Sequence, residues 1–270
     1  TNPLSPNYSF VYSDDKEYIK IGINVIKKLT DGKVHLNHNS DTFTHYKFEG
    51  CENNLFSGPH PSGNVGIQIH HIDPINKGEV VWTTTPQGLA EIGRLFIEGR
   101  YDSSRKVCVV GSEVTNPKFY KCNSGINVGS IINNEDNNNC RVISGNVLTG
   151  NSIGSNGYLG FYDNMICILP EGDNHSFLGW IMPVANKLSF QRAFGLLSFL
   201  KSKKNEYRLD TNTNGELRAF VQTGVFEKVL PMDILPTFLF ALFAVPVIWV
   251  IFSLFGDYSD NWAHIYNYTL

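Results

Sequence analysis

Three glycines, two prolines and a histidine crowd into Gly58-Pro59-His60-Pro61-Ser62-Gly63-Asn64-Val65-Gly66, and His70, His71 and Asp73 follow shortly after. Glycine lets a backbone approach a ligand closely, and loops at the ends of regular elements are where binding groups collect. His60, Pro61 and Gly63 are therefore candidate ligand contacts, with a tight structural turn as the alternative. The pattern is not a dinucleotide fingerprint, because G-x-G-x-x-G has to follow a strand and open a helix. A metal reading of His60, His70, His71 and Asp73 fails on geometry: neighbouring positions of a strand point to opposite faces, and no cysteine or second carboxylate completes a ligand set. No G-x-S-x-G elbow activates a serine. The sequence thus offers no catalytic residue and no metal site.

Bulk properties narrow the classes further. Lys and Arg number 22 against 25 Asp and Glu, a formal net charge of -3, so no basic surplus draws the chain to nucleic acid. The five cysteines, Cys51, Cys108, Cys122, Cys140 and Cys167, are odd in number and widely spaced, with no Cys-x-x-Cys. That spacing argues against a disulfide framework, a zinc knuckle and a cysteine-ligated iron–sulfur cluster, and for reduced, buried thiols. Thr1-Asn-Pro-Leu has no initiator Met and no signal-peptide pattern, which reads as a fragment opened within a longer protein.

The elements that must position these residues can be read from periodicity. Ser13, Asp14, Asp15 and Glu17 mark a helix start, and Ile21, Val25 and Leu29 give a buried stripe up to Gly32, which predicts a helix over 14–30. Lys33–Leu36 reads as a short strand and Asn37–Asn53 as a polar loop. The alternation of Val65, Ile67 and Ile69 with Gly66, Gln68 and His70 predicts a strand over Gly63–Asp73, and Glu79–Thr84 (EVVWTT) another. Thr85-Pro86 starts a helix with Leu89, Ile92 and Phe96 on its inner side, ended by Gly99. Strands at Val107–Val110 and Arg141–Val147 bracket a sheet-rich module whose turns include Asn116-Pro117, Asn123-Ser124-Gly125 and the Asn133–Asn139 run. Tyr158–Phe161 and Met165–Leu169 read as a hairpin, Ser189–Leu200 as a helix, and Lys201–Lys204 as its solvated basic end.

The end of the chain differs in kind. No residue from Ile234 to Phe255 is charged, and Phe238–Phe255 is apolar except for Pro246 and Ser253, long enough to cross a bilayer as a helix. The expected fold class is therefore α/β, with one C-terminal hydrophobic helix over 234–256 and a tail at 257–270.

Several ordered blocks resemble one family. They are Thr1-Asn-Pro-Leu, Leu29-Thr-Asp-Gly-Lys-Val34, Phe56-Ser-Gly-Pro-His-Pro-Ser-Gly63, Ile67-Gln-Ile-His70 with Asp73-Pro74, Ile92-Gly-Arg-Leu-Phe96, Arg141-Val-Ile-Ser-Gly-Asn-Val-Leu148, Leu169-Pro-Glu-Gly172, and Arg218-Ala-Phe with Val229-Leu-Pro-Met-Asp-Ile-Leu-Pro236. Over about residues 1–240 the chain resembles the A subunits of sodium-translocating NADH:quinone reductases. The resemblance implies a peripheral subunit on the cytoplasmic face of a bacterial inner membrane, in a complex that passes electrons from NADH to ubiquinone and exports sodium ions. It implies a Rossmann-like α/β region over 1–104, a β-grasp (soluble-ligand-binding) module over 105–150, and a hairpin and helical region over 151–233. The family is similar to the C subunits of Rnf-type complexes and to the NADH-binding subunit of complex I, without the iron–sulfur cysteines of the former. Its flavins and clusters sit on other subunits, so this chain is expected to hold no cofactor firmly. Ubiquinone is the candidate ligand, and His60, Pro61, Gly63 and His70 are candidate quinone or docking contacts. Expected partners are the other subunits and the membrane surface. The apolar tail departs from the family and resembles the first span of a transporter permease, with Trp262 and Tyr266 as interface anchors; a chimeric join near residue 240 is the expectation. The alternative function is a stand-alone β-grasp protein that binds a small ligand.

Overall fold

A computed structural model describes residues 2–39, 46–132, 139–172, 208–212 and 224–242. In chain order its elements are α1 (Tyr8–Val11), a 3-10 turn (Ser13–Asp15), α2 (Lys16–Leu29), β1 (His35–His38), β2 (Glu52–Leu55), α3 (Val65–Ile72), α4 (Pro86–Glu98), β3 (Ser104–Val110), β4 (Lys118–Asn123), β5 (Cys140–Ser144), β6 (Asn151–Ser152), β7 (Met165–Pro170) and α5 (Val225–Val229). A 3-10 turn at Val128–Ser130 precedes β5, and residues 236–242 are helical. Helices and strands mix throughout, as the α/β assignment requires. The chain divides into two units, one of Thr1–Gly63 with Val80–Glu216 and one of Asn64–Glu79 with Leu217–Leu270.

The first unit contains a helix layer and a sheet. α2 and α4 lie against each other where neither has a side chain in the way. A Cβ on Gly93 would stand 1.8 Å from the Tyr18 carbonyl oxygen, and one on Gly22 would stand 2.2 Å from that of Leu89. The buried positions of α4 are consequently Leu89, Ala90, Gly93 and Arg94, and Phe96, expected inside, is 65% exposed. Backbone contact consumes the inner stripe and turns the large side chain outward. Val11, Tyr12, Ile19 and Ile23 join Leu89 and Ala90 in this core, closed by Tyr46 and Phe48. The helix starts rest on local bonds: Asn7 Oδ1 accepts from Ser9 and Phe10 N–H, and Thr85 Oγ1 accepts from Gly88 N–H ahead of Pro86. Ser13 does not cap α2; its hydroxyl donates to the Phe10 carbonyl. Gly99 closes α4 at φ +69°, the left-handed conformation only glycine adopts freely.

Two sheets complete this unit. β1 and β2 pair in parallel, His35 opposite Glu52. The larger sheet has the order β4-β3-β7-β5-β6, in which β3 and β7 are parallel and the other pairs antiparallel. β7 is the central strand, buried from Met165 through Leu169. One face packs Val107, Val109, Val142, Ile166 and Ile168 with Val128 and Leu159, and the other packs Cys108, Ile143, Cys167 and Leu169.

Several expectations are corrected. Met165–Leu169 is not half of a hairpin: an apolar run without alternation suits a strand covered on both faces, and Tyr158 makes only an isolated bridge to Asn127. The strand expected over Gly63–Asp73 is the helix α3, since eight residues with an apolar residue at every second position fit either period until tertiary contacts decide. Glu79–Thr84 forms no strand, because no neighbouring strand is offered to it among the described residues. The strands foreseen at Lys33–Leu36 and Arg141–Val147 occur shifted, at His35–His38 and Cys140–Ser144. The helix at Ser189–Leu200, the Lys201–Lys204 run and the C-terminal span beyond residue 242 lie outside the described residues. Among those described, no helix is long and apolar enough to cross a membrane.

This packing has measurable consequences. Gly93→Ala would by helix propensity alone gain about 0.5–1 kcal/mol; the clash with an immobile backbone outweighs that gain, for a net loss of about 1–3 kcal/mol in urea unfolding. His38, 6% exposed in β1, keeps its pKa below the ordinary 6.5 because burial disfavours the cation, against a weaker opposing hydrogen bond to Asn53. The folded state thus binds fewer protons there than the unfolded chain, so the contribution of His38 is present above the ordinary value and is lost as pH falls below it. The urea midpoint should drop between about pH 7.5 and about pH 5.5, and His38→Asn should flatten that slope.

Candidate functional site

The loop that drew attention first is a closed turn in the first unit. Ser62 N–H donates to the Pro59 carbonyl at 3.0 Å, and Ser62 Oγ donates to the Gly58 carbonyl at 3.0 Å. Gly58 sits at φ +135°, a conformation that strains any residue with a side chain. His60 and Pro61 are half-buried and Gly63 is exposed. The His60 Nδ1 atom is buried with no hydrogen-bond partner among the described residues, an unusual state for a polar atom.

His70 belongs to the second unit and is already engaged. Its Nε2 accepts from Asp233 N–H at 3.2 Å, while His71 Nε2 lies 2.7 Å from the Pro231 carbonyl oxygen. Those partners fix the tautomers: Nε2 of His70 carries no proton, and Nε2 of His71 carries one. The two rings stand edge to face at 5.6 Å between centroids. On a helix, consecutive residues are separated by about 100° rather than alternating, and both histidines reach the Pro231–Asp233 strap. His70 and His71 are therefore not held to opposite faces, as they would be on a strand. Of the four predicted contact residues, three share the turn and His70 stands on α3.

The polar groups with the most structural consequence escaped the sequence reading. Arg94 is buried in α4, with Nη2 donating to Asp15 at 2.6 Å and Nη1 to Asp102 at 3.0 Å, and its guanidinium lies over the Tyr18 ring. Burial opposes its charge, but Asp15 and Asp102 outweigh it and hold its pKa above the usual value. Arg105 on β3 donates through Nη2 to Glu91 at 3.0 Å and through Nη1 to the Phe161 carbonyl. It also lies over the Phe161 ring, and its Nε has no partner among the described residues. Lys106 adds a more open pair with Asp14 at 2.8 Å. A signal was present in the sequence: Leu89, Ala90, Gly93 and Arg94 form an i, i+1, i+4, i+5 stripe that places an arginine on the inner face, where a carboxylate must meet it.

The remaining reactive groups are quiet. Cys167 is pushed up to about 12 by burial and by its neighbour Cys108; burial also raises Cys51, Cys108 and Cys122. The thiolate, which is the reactive form, is scarce at such sites. Ser144 donates to Asp163 at 2.5 Å and accepts from Gly160 N–H at 2.9 Å, which pins the turn ahead of β7. Among the described residues no group of His, Cys, Asp and Glu converges on a metal position.

Comparison with known proteins places this geometry. Residues 1–101 match the family model described as the NqrA second alpha/beta domain, and residues 106–154 match the NQRA C-terminal domain. The chain belongs to the NqrA family. The A subunit of the Na(+)-translocating NADH-quinone reductase of Histophilus somni (strain 2336) is 38% identical over 242 residues, 88% of this chain and 53% of that protein. Its counterpart from Neisseria meningitidis serogroup B (strain MC58) is 37% identical over 243 residues, 88% of this chain and 54% of the relative. The one from Vibrio parahaemolyticus is 33% identical over 241 residues, again 88% of this chain and 53% of the relative. The chain spans about half the length of the curated relatives it matches. The first NqrA match ends after α4 and the second begins within β3, so Asp102, Ser104 and Arg105 occupy the junction. β7, the central strand, lies beyond the second match.

His70→Ala removes the acceptor for Asp233 N–H. Hydrogen exchange at the Asp233 amide should quicken several-fold while amides of β3 and β7 keep their rates.

Proposed function

We propose that the chain works as the A subunit of a sodium-translocating NADH:quinone reductase, contributing to electron transfer from NADH to ubiquinone and to sodium export only as part of the assembled complex. The observation that carries this reading is agreement along 88% of the chain with proteins of that name, at 33–38% identity. On this reading the chain is a peripheral structural subunit at the cytoplasmic face of the bacterial inner membrane, and its partners are the other subunits and the membrane surface. Flavins and iron–sulfur centres belong to those partners.

The same reading supplies the module boundaries. The α/β region runs over 1–104 in sequence and includes α1, α2 and α4, and the β-grasp module begins at about residue 105 and draws β7 into its sheet, past the boundary at 150. The region over 151–233 continues from there. Within this scheme His60, Pro61 and Gly63 are the quinone-side or docking contacts, His60 because its buried Nδ1 is unpartnered among the described residues. His70 is a docking contact through the Pro231–Asp233 strap that it holds.

Coexpression with the remaining subunits tests the proposal. A tag on this chain should recover the membrane subunits together with sodium-stimulated NADH:ubiquinone reductase activity, whereas the isolated chain should not reduce quinone with NADH. Recovery of the tagged chain alone would contradict the assignment. A photoreactive ubiquinone analogue applied to the assembly should label the 58–63 turn if that turn is quinone-side; label confined to other subunits leaves it a docking element.

A further inference from the structure

The stretch from Val80 to Thr84 has the composition of a strand, Val-Val-Trp-Thr-Thr, and no strand to pair with among the described residues. Hydrogen bonding resumes only at its borders: Glu79 N–H donates to Asn76 on one side, and the Thr85 carbonyl accepts from Leu89 N–H on the other. Between them the N–H and carbonyl groups of Val80, Val81, Trp82 and Thr83 bond to no described residue. The side chains are equally uncovered, with Val80 76% and Trp82 92% exposed. A row of free backbone groups beneath β-branched and aromatic side chains is the surface to which another strand adds. Tryptophan in that position is the residue type most often found anchoring an interface.

Charge selects the kind of partner. From Val80 through Ala90 no residue is charged, and the Glu79 carboxylate is already taken by Asn76 N–H at 2.7 Å. A charged strand laid here would lose water and gain no counter-charge. We infer that Val80–Thr84 forms an intermolecular β-pair with an uncharged, apolar strand of another protein of the complex, Trp82 inserting into that partner. This rests on the proposed membership of a multi-subunit reductase.

Hydrogen exchange resolved to single amides, on the chain alone and in the complex purified with its other subunits, tests the inference. The amides of Val80–Thr84 should exchange fast in the isolated chain and at least about tenfold more slowly in the complex. Thr83→Pro, which removes one donor, should lower recovery of the other subunits by about tenfold, with unchanged exchange in β3 and β7 showing that the variant folds; Thr83→Val should restore recovery. A complex that forms with these amides unprotected overturns the pairing and leaves the functional reading intact. Protection already present in the isolated chain at every dilution would mean that the strand pairs within its own molecule, and protection that rises with concentration would mean a second copy; either result overturns the inference. If no complex forms with the unaltered chain, the functional reading fails and takes the pairing with it.

Discussion

Arg105 leaves strand β3 and ends between Glu91 on α4 and the carbonyl of Phe161, 5% exposed. One charge therefore bonds the helix layer and the turn that leads into the central strand at once. Arg94 does the converse from the helix side: it reaches Asp15 ahead of α2 and Asp102 ahead of β3. Such pairs add little net stability over apolar residues of the same shape, yet losing one partner is severe because the other charge stays buried alone. Their consequence is positional. The start of β3 can sit in only one place relative to α2 and α4, and the register of the five-stranded sheet propagates from there.

The helix contact imposes the complementary constraint. Gly22 and Gly93 bring α2 and α4 together until backbone touches backbone, so the pair cannot slide or rotate without a clash. That proximity brings Arg94 over Tyr18, whose hydroxyl donates to Glu98 at 2.9 Å. It also forces Leu95, Phe96 and Ile97 outward, which leaves the far face of α4 unusually apolar for a surface helix. A protein held inside a larger assembly can carry such a face where a solitary one would be prone to aggregate.

The sequence made α2 and α4 legible through the punctuation at their ends, Thr85-Pro86 and Gly99 most plainly, but not through their inner faces: in α2 the buried positions are Ile19, Gly22 and Ile23 instead of the expected Ile21, Val25 and Leu29, and Leu29 is 78% exposed. Val107–Val110 was legible for its β-branched run. The error over Val65–Ile72 arose because alternation across a short apolar segment satisfies two periods, and the bonds to Pro231 and Asp233 that accompany the helix come from residues far along the chain. The central place of β7 was hidden for a related reason: Met-Ile-Cys-Ile-Leu carries no face preference, so only its neighbours reveal that it is covered on both sides. Of the candidate contacts, the 58–63 turn was found by its glycines and prolines. The inner-face position of Arg94 was a local signal, but the pairing partners of the buried arginines lie 79 and 14 residues away, where no local pattern points to them.

A double-mutant cycle on Arg105 and Glu91, followed by urea unfolding of the whole chain, tests most directly whether the buried ion pair governs how helix layer and sheet join. Arg105→Met and Glu91→Leu should each destabilise by about 3–5 kcal/mol. The double variant should lose less than the two single losses added together, by a coupling of about 1–3 kcal/mol. Single losses that simply add, to within about 0.5 kcal/mol, would contradict the account.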